Sequence, residues 1–464
     1  MIGTALPSRR TLAAMVGLML LASHAAVRAQ PAPTAPPTDL WDRSSLLGDP
    51  LGLRTALGRA GITLGLQETS EVLGNLTGGL RRGADYEGLT EMSLGLDTRQ
   101  AFGWSGGIFN VSALQIHGRN LSADNLDTLQ TASGIEANRA TRLWELWYQQ
   151  SFFGGRVDVK LGQQSIDNEF ITSHGSGLFI NTMMGWPMLP SADLYAGGPA
   201  YPLSALGVRV RAHPTKALTV LAGVFDDNPP GGPFADDSQL RGAEAAGLAF
   251  NRNTGALWIA ELDYQSRRSN GLDGTYKLGV WYDSGWFPDQ HYDSAGVSLA
   301  SPASNGVPRR HPGDASLYAV VDQTIWRPGP NNPRALAVFL RAMGAPADRN
   351  LISFSANGGL TLSDPFPGRD NDTAGIGFGV AKLSGAVAAL DQDTGFFTAS
   401  AYPVQGTEAF IELTYQMQIT PWWQLQPDFQ YVIAPGGGVP DSLAPSRRVG
   451  NEVVLGLRTV ITLW

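Results

Sequence analysis

The sequence predicts an all-β fold: a closed antiparallel transmembrane β-barrel of about 16 strands, with a short N-terminal helix and one loop folded inward as a constriction. Three observations carry this. From Ile62 to the end of the chain, apolar residues keep returning at every second position, the period of a strand with one face in lipid and the other in water. No run of about 20 apolar residues follows the N-terminus, which excludes helical membrane spans. The closing segment, Glu452 to Trp464, sets Val453, Leu455, Leu457, Ile461 and Leu463 against Arg458, Thr462 and Trp464. An apolar-out, polar-in strand that ends on an aromatic is how the last strand of an outer-membrane barrel reads.

Composition agrees. The 464 residues are 43% hydrophobic but only 16% charged, with 56 Gly, 30 Pro, no Cys and a mean hydropathy of −0.08. Alternation of lipid-facing and lumen-facing residues hides a membrane from such an average. The absence of Cys excludes disulfide scaffolds, thiol catalysis and cysteine metal sites together.

In chain order, residues 1–29 read as a cleaved export signal. Arg9 and Arg10 form the basic start, Leu12 to Ala22 the apolar stretch, and Val27-Arg28-Ala29 the small-residue cleavage site before Gln30, which directs the chain toward the outer membrane of a Gram-negative bacterium. Without the signal's three Arg, the mature chain has 30 basic against 41 acidic residues, a net charge near −11. That balance argues against a nucleic-acid partner, since phosphate binding wants a basic face. Residues 30–60 form a periplasmic linker, Pro-rich at Pro31, Pro33, Pro36 and Pro37, and a short helix. Asp49 caps the helix, Pro50 occupies its first turn, Leu53, Ala56, Leu57 and Ala60 make its apolar stripe and Gly61 stops it. The helix is placed as a plug or gasket at the periplasmic mouth, or as a surface helix ahead of the first strand.

Residues 61–464 are the barrel. Ile62, Leu64 and Leu66 alternate with Thr63, Gly65 and Gln67, and Ile411, Leu413 and Tyr415 with Glu412, Thr414 and Gln416. Candidate strands number about seventeen, and the preference of bacterial barrels for an even count brings this to about sixteen. The segment 351–362 is the one marked for removal. Trp144, Tyr148, Trp258, Tyr264, Tyr276, Tyr282, Trp326, Trp422, Trp423 and Tyr431 fall near strand ends, as interfacial girdles do.

Tight turns such as Phe153-Gly154-Gly155 suit the periplasmic rim, whereas 119–141, 165–204, 284–314, 384–407 and 433–450 suit extracellular loops. The 165–204 segment is apolar where an exposed loop should be polar, with Phe179-Ile180, Met183-Met184-Gly185-Trp186-Pro187 and Ala196 to Pro202. It therefore belongs inside the barrel. Trp186, Tyr195 and Tyr201 on it, beside inward His117, Arg119, Glu145, Trp147 and Lys160 and the basic pair Arg209 and Arg211, form a candidate pore lining. Aromatic faces cover the C–H faces of a sugar, and charged groups bond its hydroxyls. Packing of Trp186 on the wall, and neutralisation of Arg119 by Glu145, are the plainer readings of the same residues.

Several separated segments resemble one family. Val72 to Gly79, Leu146-Trp147-Tyr148-Gln149-Gln150, Asp158 to Gly162, Gly185-Trp186-Pro187, Tyr276 to Gly279, Gly344 to Asn350 and Leu413 to Gln416 look like the carbohydrate-selective outer-membrane porins, the OprB family. The resemblance runs from about Trp41 to the end. It implies a monomeric barrel passing neutral glucose-type sugars or polyols by facilitated diffusion, surrounded by outer-membrane lipids and lipopolysaccharide and placed there by the barrel insertion machinery. Two positions depart from the family pattern. Leu463 stands where an aromatic commonly ends the lipid face, with Trp464 one residue beyond, and Gln163-Gln164 stands where some relatives carry a Gly-Arg pair.

Enzymatic patterns are poor. The six His show no HExxH spacing, no GxSxG or P-loop occurs, and no cofactor or metal site is expected. Asp391 to Gly395 half resembles a calcium loop but reads as a solvated turn. A general or cation-preferring porin is the alternative function, and a barrel hydrolase a remote one.

Overall fold

A computed structural model describes residues 39–229, 246–248, 250–441 and 444–464. The expected signal peptide and the Pro-rich part of the linker lie outside the described residues. Sixteen antiparallel barrel strands are present among those described: β1 Ile62–Thr77, β2 Gly83–Asp97, β3 Gly107–Gly118, β4 Ala140–Phe152, β5 Val157–Gln164, β6 Ala205–Ala212, β7 Leu218–Asn228, β8 Asn251–Ser266, β9 Gly274–Asp293, β10 Pro308–Trp326, β11 Ala335–Gly344, β12 Ile352–Ser363, β13 Thr373–Leu383, β14 Thr407–Thr420, β15 Trp423–Ile433 and β16 Glu452–Thr462. Each pairs with the next in the chain, and β16 returns to β1. Closure leaves no strand edge open, the condition for a sheet to stand in lipid. At the seam Glu71 lies opposite Arg458, and the two side chains form an ion pair.

The alternation read from the sequence sorts the two faces. On β14 Ile411 and Leu413 are exposed on the outer wall while Glu412 is fully buried inside, and on β16 Leu455 and Leu457 face out while Glu452 and Val454 face in. The girdle residues Trp258, Tyr264, Tyr282 and Trp326 are exposed. Trp144 is not: a register shift between β3 and β4 turns it inward, where it is buried with Leu114 and Ile116.

Strand counting needs one correction. The segment marked for removal, 351–362, is β12, and the surplus candidate is 244–252: its described residues before Asn251 are not in a strand. Loop lengths change too. β9 and β10 run on to Asp293 and from Pro308, so the expected loop 284–314 shrinks to 294–307. The 384–407 connection contains a helix, Gly385–Thr398, capped by the Ser384 hydroxyl accepting from the Val387 amide at 3.4 Å. Asp391 to Gly395 lies within that helix, which corrects its reading as a solvated turn. The 433–450 connection carries a two-stranded ribbon, Pro440–Asp441 with Ala444–Arg448.

The N-terminal helix is Leu53–Arg59. Asp49 secures its first turn, its carboxylate accepting from the Arg54 amide at 2.8 Å and the Thr55 hydroxyl at 2.5 Å. No residue of the helix is buried, which rules out a plug packed in the mouth. The segment ahead of it instead follows the end of the chain, with the Leu46 and Leu47 amides donating to Thr462 and Leu463. The Leu463 and Trp464 amides in turn both donate to Leu66.

Leu340, near the middle of β11, faces outward. Leu340→Arg is expected to destabilise the folded barrel in lipid vesicles by about 2–4 kcal/mol, measured by urea unfolding and loss of heat-modifiable migration.

Candidate functional site

The inner wall is not uniformly polar. From β7 to β11 it presents Leu221, Phe225, Ile259, Trp281, Tyr318 and Phe339, all buried. They are covered by the connection from β5 to β6, residues 165–204, whose Phe170, Phe179, Met183, Met184, Trp186 and Leu189 are buried in the same cluster. Full burial of one such side chain contributes roughly 1.5–3 kcal/mol. β13 makes room for the covering layer with two inward glycines. A Cβ on Gly375 would stand 2.6 Å from Leu178, and one on Gly377 would stand 2.7 Å from Met184.

A loop inside a barrel must still satisfy its backbone. The wall supplies the partners. Arg341 on β11 donates to the Met184, Met183, Gly185 and Ile171 carbonyls at 2.7, 2.8, 2.8 and 3.2 Å and to Asn357 at 2.9 Å. Glu412 accepts the Ile180 amide at 2.5 Å, Glu261 the Ile171 amide at 2.8 Å, and Asp322 the Gly175 amide at 2.9 Å. Gln163 and Gln164, the two residues departing from the family pattern, fasten the loop's base. Gln163 donates to Ser204 at 2.8 Å and Gln164 to Gly207 at 2.9 Å.

A second connection folds inward, which the sequence reading placed outside. In 119–139, Leu121, Leu126, Ala132 and Gln130 are buried. The Leu129 and Gln130 amides donate to Glu408 on β14 at 2.8 and 2.7 Å, and the Leu121 amide to Glu87 on β2 at 3.0 Å. The two loops bond to each other as well: Gly134 to the Ile180 carbonyl at 2.9 Å, Thr182 to the Thr131 carbonyl at 3.1 Å, and the Tyr201 hydroxyl to the Ile135 carbonyl at 2.9 Å.

Next to the apolar stretch, β4–β6 carry a charged strip. Lys160 stands 4.7 Å over the Trp147 ring and pairs with Glu169 at the start of the 165–204 loop. Arg209 pairs with the same Glu169 at 2.6 Å and with Asp158, and Arg211 holds Asp158 at 2.9 Å. Burial pushes the Glu169 carboxyl up, but the charges of Lys160 and Arg209 outweigh it and hold its pKa at about 2. The strip is a buried, mutually paired network of both signs, and of its members Arg211 is the most open to solvent.

The expected lining therefore divides. Trp147, Lys160, Arg209 and Arg211 converge on the strip. Glu145 is inward but accepts the Ser165 amide at 3.1 Å. Arg119 sits beyond β3, exposed and paired with Asp124 at 3.0 Å, far in register from Glu145, so those two do not neutralise each other. His117 is a correction: it alternates with inward Ile116 on β3 and points outward. Trp186 donates to the Gly197 carbonyl at 2.9 Å, and Tyr195 to the Trp286 carbonyl at 2.9 Å, both buried in loop packing. Missed were Arg341 and Glu169. Arg341 was legible as the one charge in the run Ala335 to Gly344; Glu169 carried no local signal. Among the described residues no group of three or more His, Asp or Glu is placed to hold a metal ion.

A closed barrel with an apolar belt and a charged lumen narrowed by loops from one rim is an outer-membrane diffusion channel. Residues 81–463 match the family described as carbohydrate-selective porin, OprB family, and the chain belongs to that family. Porin B of Pseudomonas aeruginosa is 25% identical, with 97% of each chain covered. The putative porin QuiX of Acinetobacter baylyi is also 25% identical, over 86% of this chain and 91% of its own. The high-pH structure of Pseudomonas putida OprB superposes with a TM-score of 0.80 at 25% identity, covering 91% of this chain and 99% of that one.

Arg341→Met is expected to loosen the 165–204 loop by about 3 kcal/mol, because four carbonyls lose a charged donor. Higher and noisier single-channel conductance, with new protease cleavage near Met183, is the readout. Glu169, with a pKa lowered from 4.5 to about 2, stabilises the docked loop above about pH 4.5, and that contribution is lost as pH falls toward 2. Conductance is expected to rise over this window, and Glu169→Gln to abolish the step.

Proposed function

We propose that this chain carries glucose-type monosaccharides and related sugars or polyols across the outer membrane by facilitated diffusion, through a lumen narrowed by the 165–204 loop. The observation that carries the reading is the strip of Trp147, Lys160, Arg209 and Arg211 with Asp158 and Glu169. Within it Arg211, about a fifth exposed, is the donor open to the lumen, held in place by Asp158 and the buried pairs behind it, and a fixed donor suits the hydroxyls of neutral polyhydroxy solutes. Mixed charge keeps the strip from rejecting uncharged molecules. Family membership supports the same class of solute. We also propose that residues 1–29 direct export and are removed, and that the insertion machinery reads the last strand with Leu463 and Trp464 at its end.

Planar-bilayer conductance with added glucose, maltose or a polyol tests the proposal. Millimolar sugar is expected to block the current, and Arg211→Ala to raise the half-blocking concentration about tenfold, the loss of roughly 1.4 kcal/mol. Absence of block at any sugar concentration, with a reversal potential favouring cations, would establish a general cation-preferring pore instead.

A further inference from the structure

Strands β9 and β10 cross the membrane and continue past it. On the outer wall Leu278, Val280 and Leu317 are exposed in the apolar belt, and Tyr282, Trp286 and Tyr292 follow on the same face of β9, also exposed. At the other end of the belt Tyr264 and Tyr276 stack across β8 and β9, their ring centroids 6.3 Å apart. From Tyr276 to Trp286 is the length a tilted strand needs to cross hydrocarbon, about 9–11 residues. Trp286 therefore marks the interface on the side of the 165–204 loop, and the outer wall beyond it stands among lipid headgroups.

Two arginines stand there. Register puts Pro312 opposite Trp286 and Arg310 opposite Pro288, so Arg310 shares the outward face, its guanidinium 5.9 Å over the Trp286 ring. Arg309 lies 5.8 Å over the Tyr292 ring. Both are exposed, and neither has a carboxylate partner among the described residues. The nearby acids are engaged elsewhere. Asp283, Asp289, Asp293 and Asp314 are buried, Asp289 against His311 at 2.9 Å and Asp293 under the Val297 and Asn305 amides at 2.8 and 2.9 Å, while exposed Asp348 pairs with Arg349 at 2.9 Å. The aromatic platform is fixed from behind. The Trp286 carbonyl and amide bond the Tyr195 hydroxyl at 2.9 and 3.2 Å, and Arg349 donates to the Gly313 and Pro312 carbonyls at 2.7 and 3.3 Å.

We propose that this outward face of β9–β10 binds the phosphates of lipid A, the membrane anchor of lipopolysaccharide. The occupant follows from charge and depth. A guanidinium without a carboxylate partner, held over an aromatic ring at a lipid interface, takes a phosphate through two parallel hydrogen bonds. Leu278, Val280 and Leu317 in the belt below take the acyl chains. Separate rings hold Arg309 and Arg310 as two sites rather than one, which suits a headgroup bearing two phosphates. The inference concerns the outside of the barrel and stands apart from sugar passage through its lumen.

Native mass spectrometry of the full chain in mild detergent, with bisphosphorylated lipid A added, tests this. A bound lipid A is expected, and Arg309→Ala with Arg310→Ala should lower the bound fraction about tenfold with heat-modifiable migration retained. Arg267→Ala with Arg268→Ala, an equal loss of charge from exposed residues at the opposite rim, should leave it unchanged. Lipid A stripped of both phosphates is expected to bind about tenfold more weakly than the intact lipid. Sugar block in planar bilayers should be the same for the unaltered chain and the double variant at 309 and 310, so failure here is distinguishable from failure of the transport reading. Equal loss from the two double variants, binding that does not depend on the phosphates, or equal retention of phosphatidylglycerol or of the deacylated headgroup each overturns the proposal.

Discussion

Backbone inside a barrel has to find hydrogen bonds where strands no longer provide them, and the rest of this structure follows from how the wall answers that need. Arg341 gives its guanidinium to four main-chain carbonyls of one loop, while Glu261, Glu408 and Glu412 take main-chain amides. A lysine could not substitute, because only the planar, five-donor fork reaches several carbonyls from one fixed position. Much of the lumen's formal charge is therefore engaged in holding loops, including Lys160 and Arg209, which pair with Glu169 of the 165–204 loop.

Apolar residues inside the bore complete the same design. An inward Trp281 or Phe339 bordering water is disfavoured, and so is a long apolar loop at the cell surface. Each relieves the other when the loop folds in. Directional bonds from the wall then fix which part of the loop lies where, and the inward glycines of β13 set how closely it can approach.

The barrel itself was legible because period two persists through nearly every strand, and because the last strand states both faces within thirteen residues. Strand ends were less legible. β9 and β10 extend beyond the belt, where alternation no longer separates lipid from lumen. The 165–204 loop revealed itself by composition, whereas 119–139 did not, since its burial rests on amides reaching Glu87 and Glu408, and polar sequence looks the same in water as in a bonded lumen. His117 was misplaced because a polar residue on a barrel strand is expected to face in; only its register beside Ile116 decides otherwise. Glu169 joined the strip through a fold in the chain that local sequence does not encode.

The bonds between the two inward loops have a mechanical consequence. Gly134, Thr131 and Gln130 are tied to Ile180, Thr182 and Asn181, so neither segment can swing away from the wall while the other stays seated. They behave as a single leaf hinged at two roots, and any widening of the channel is a cooperative, two-level event rather than a graded series of partial openings.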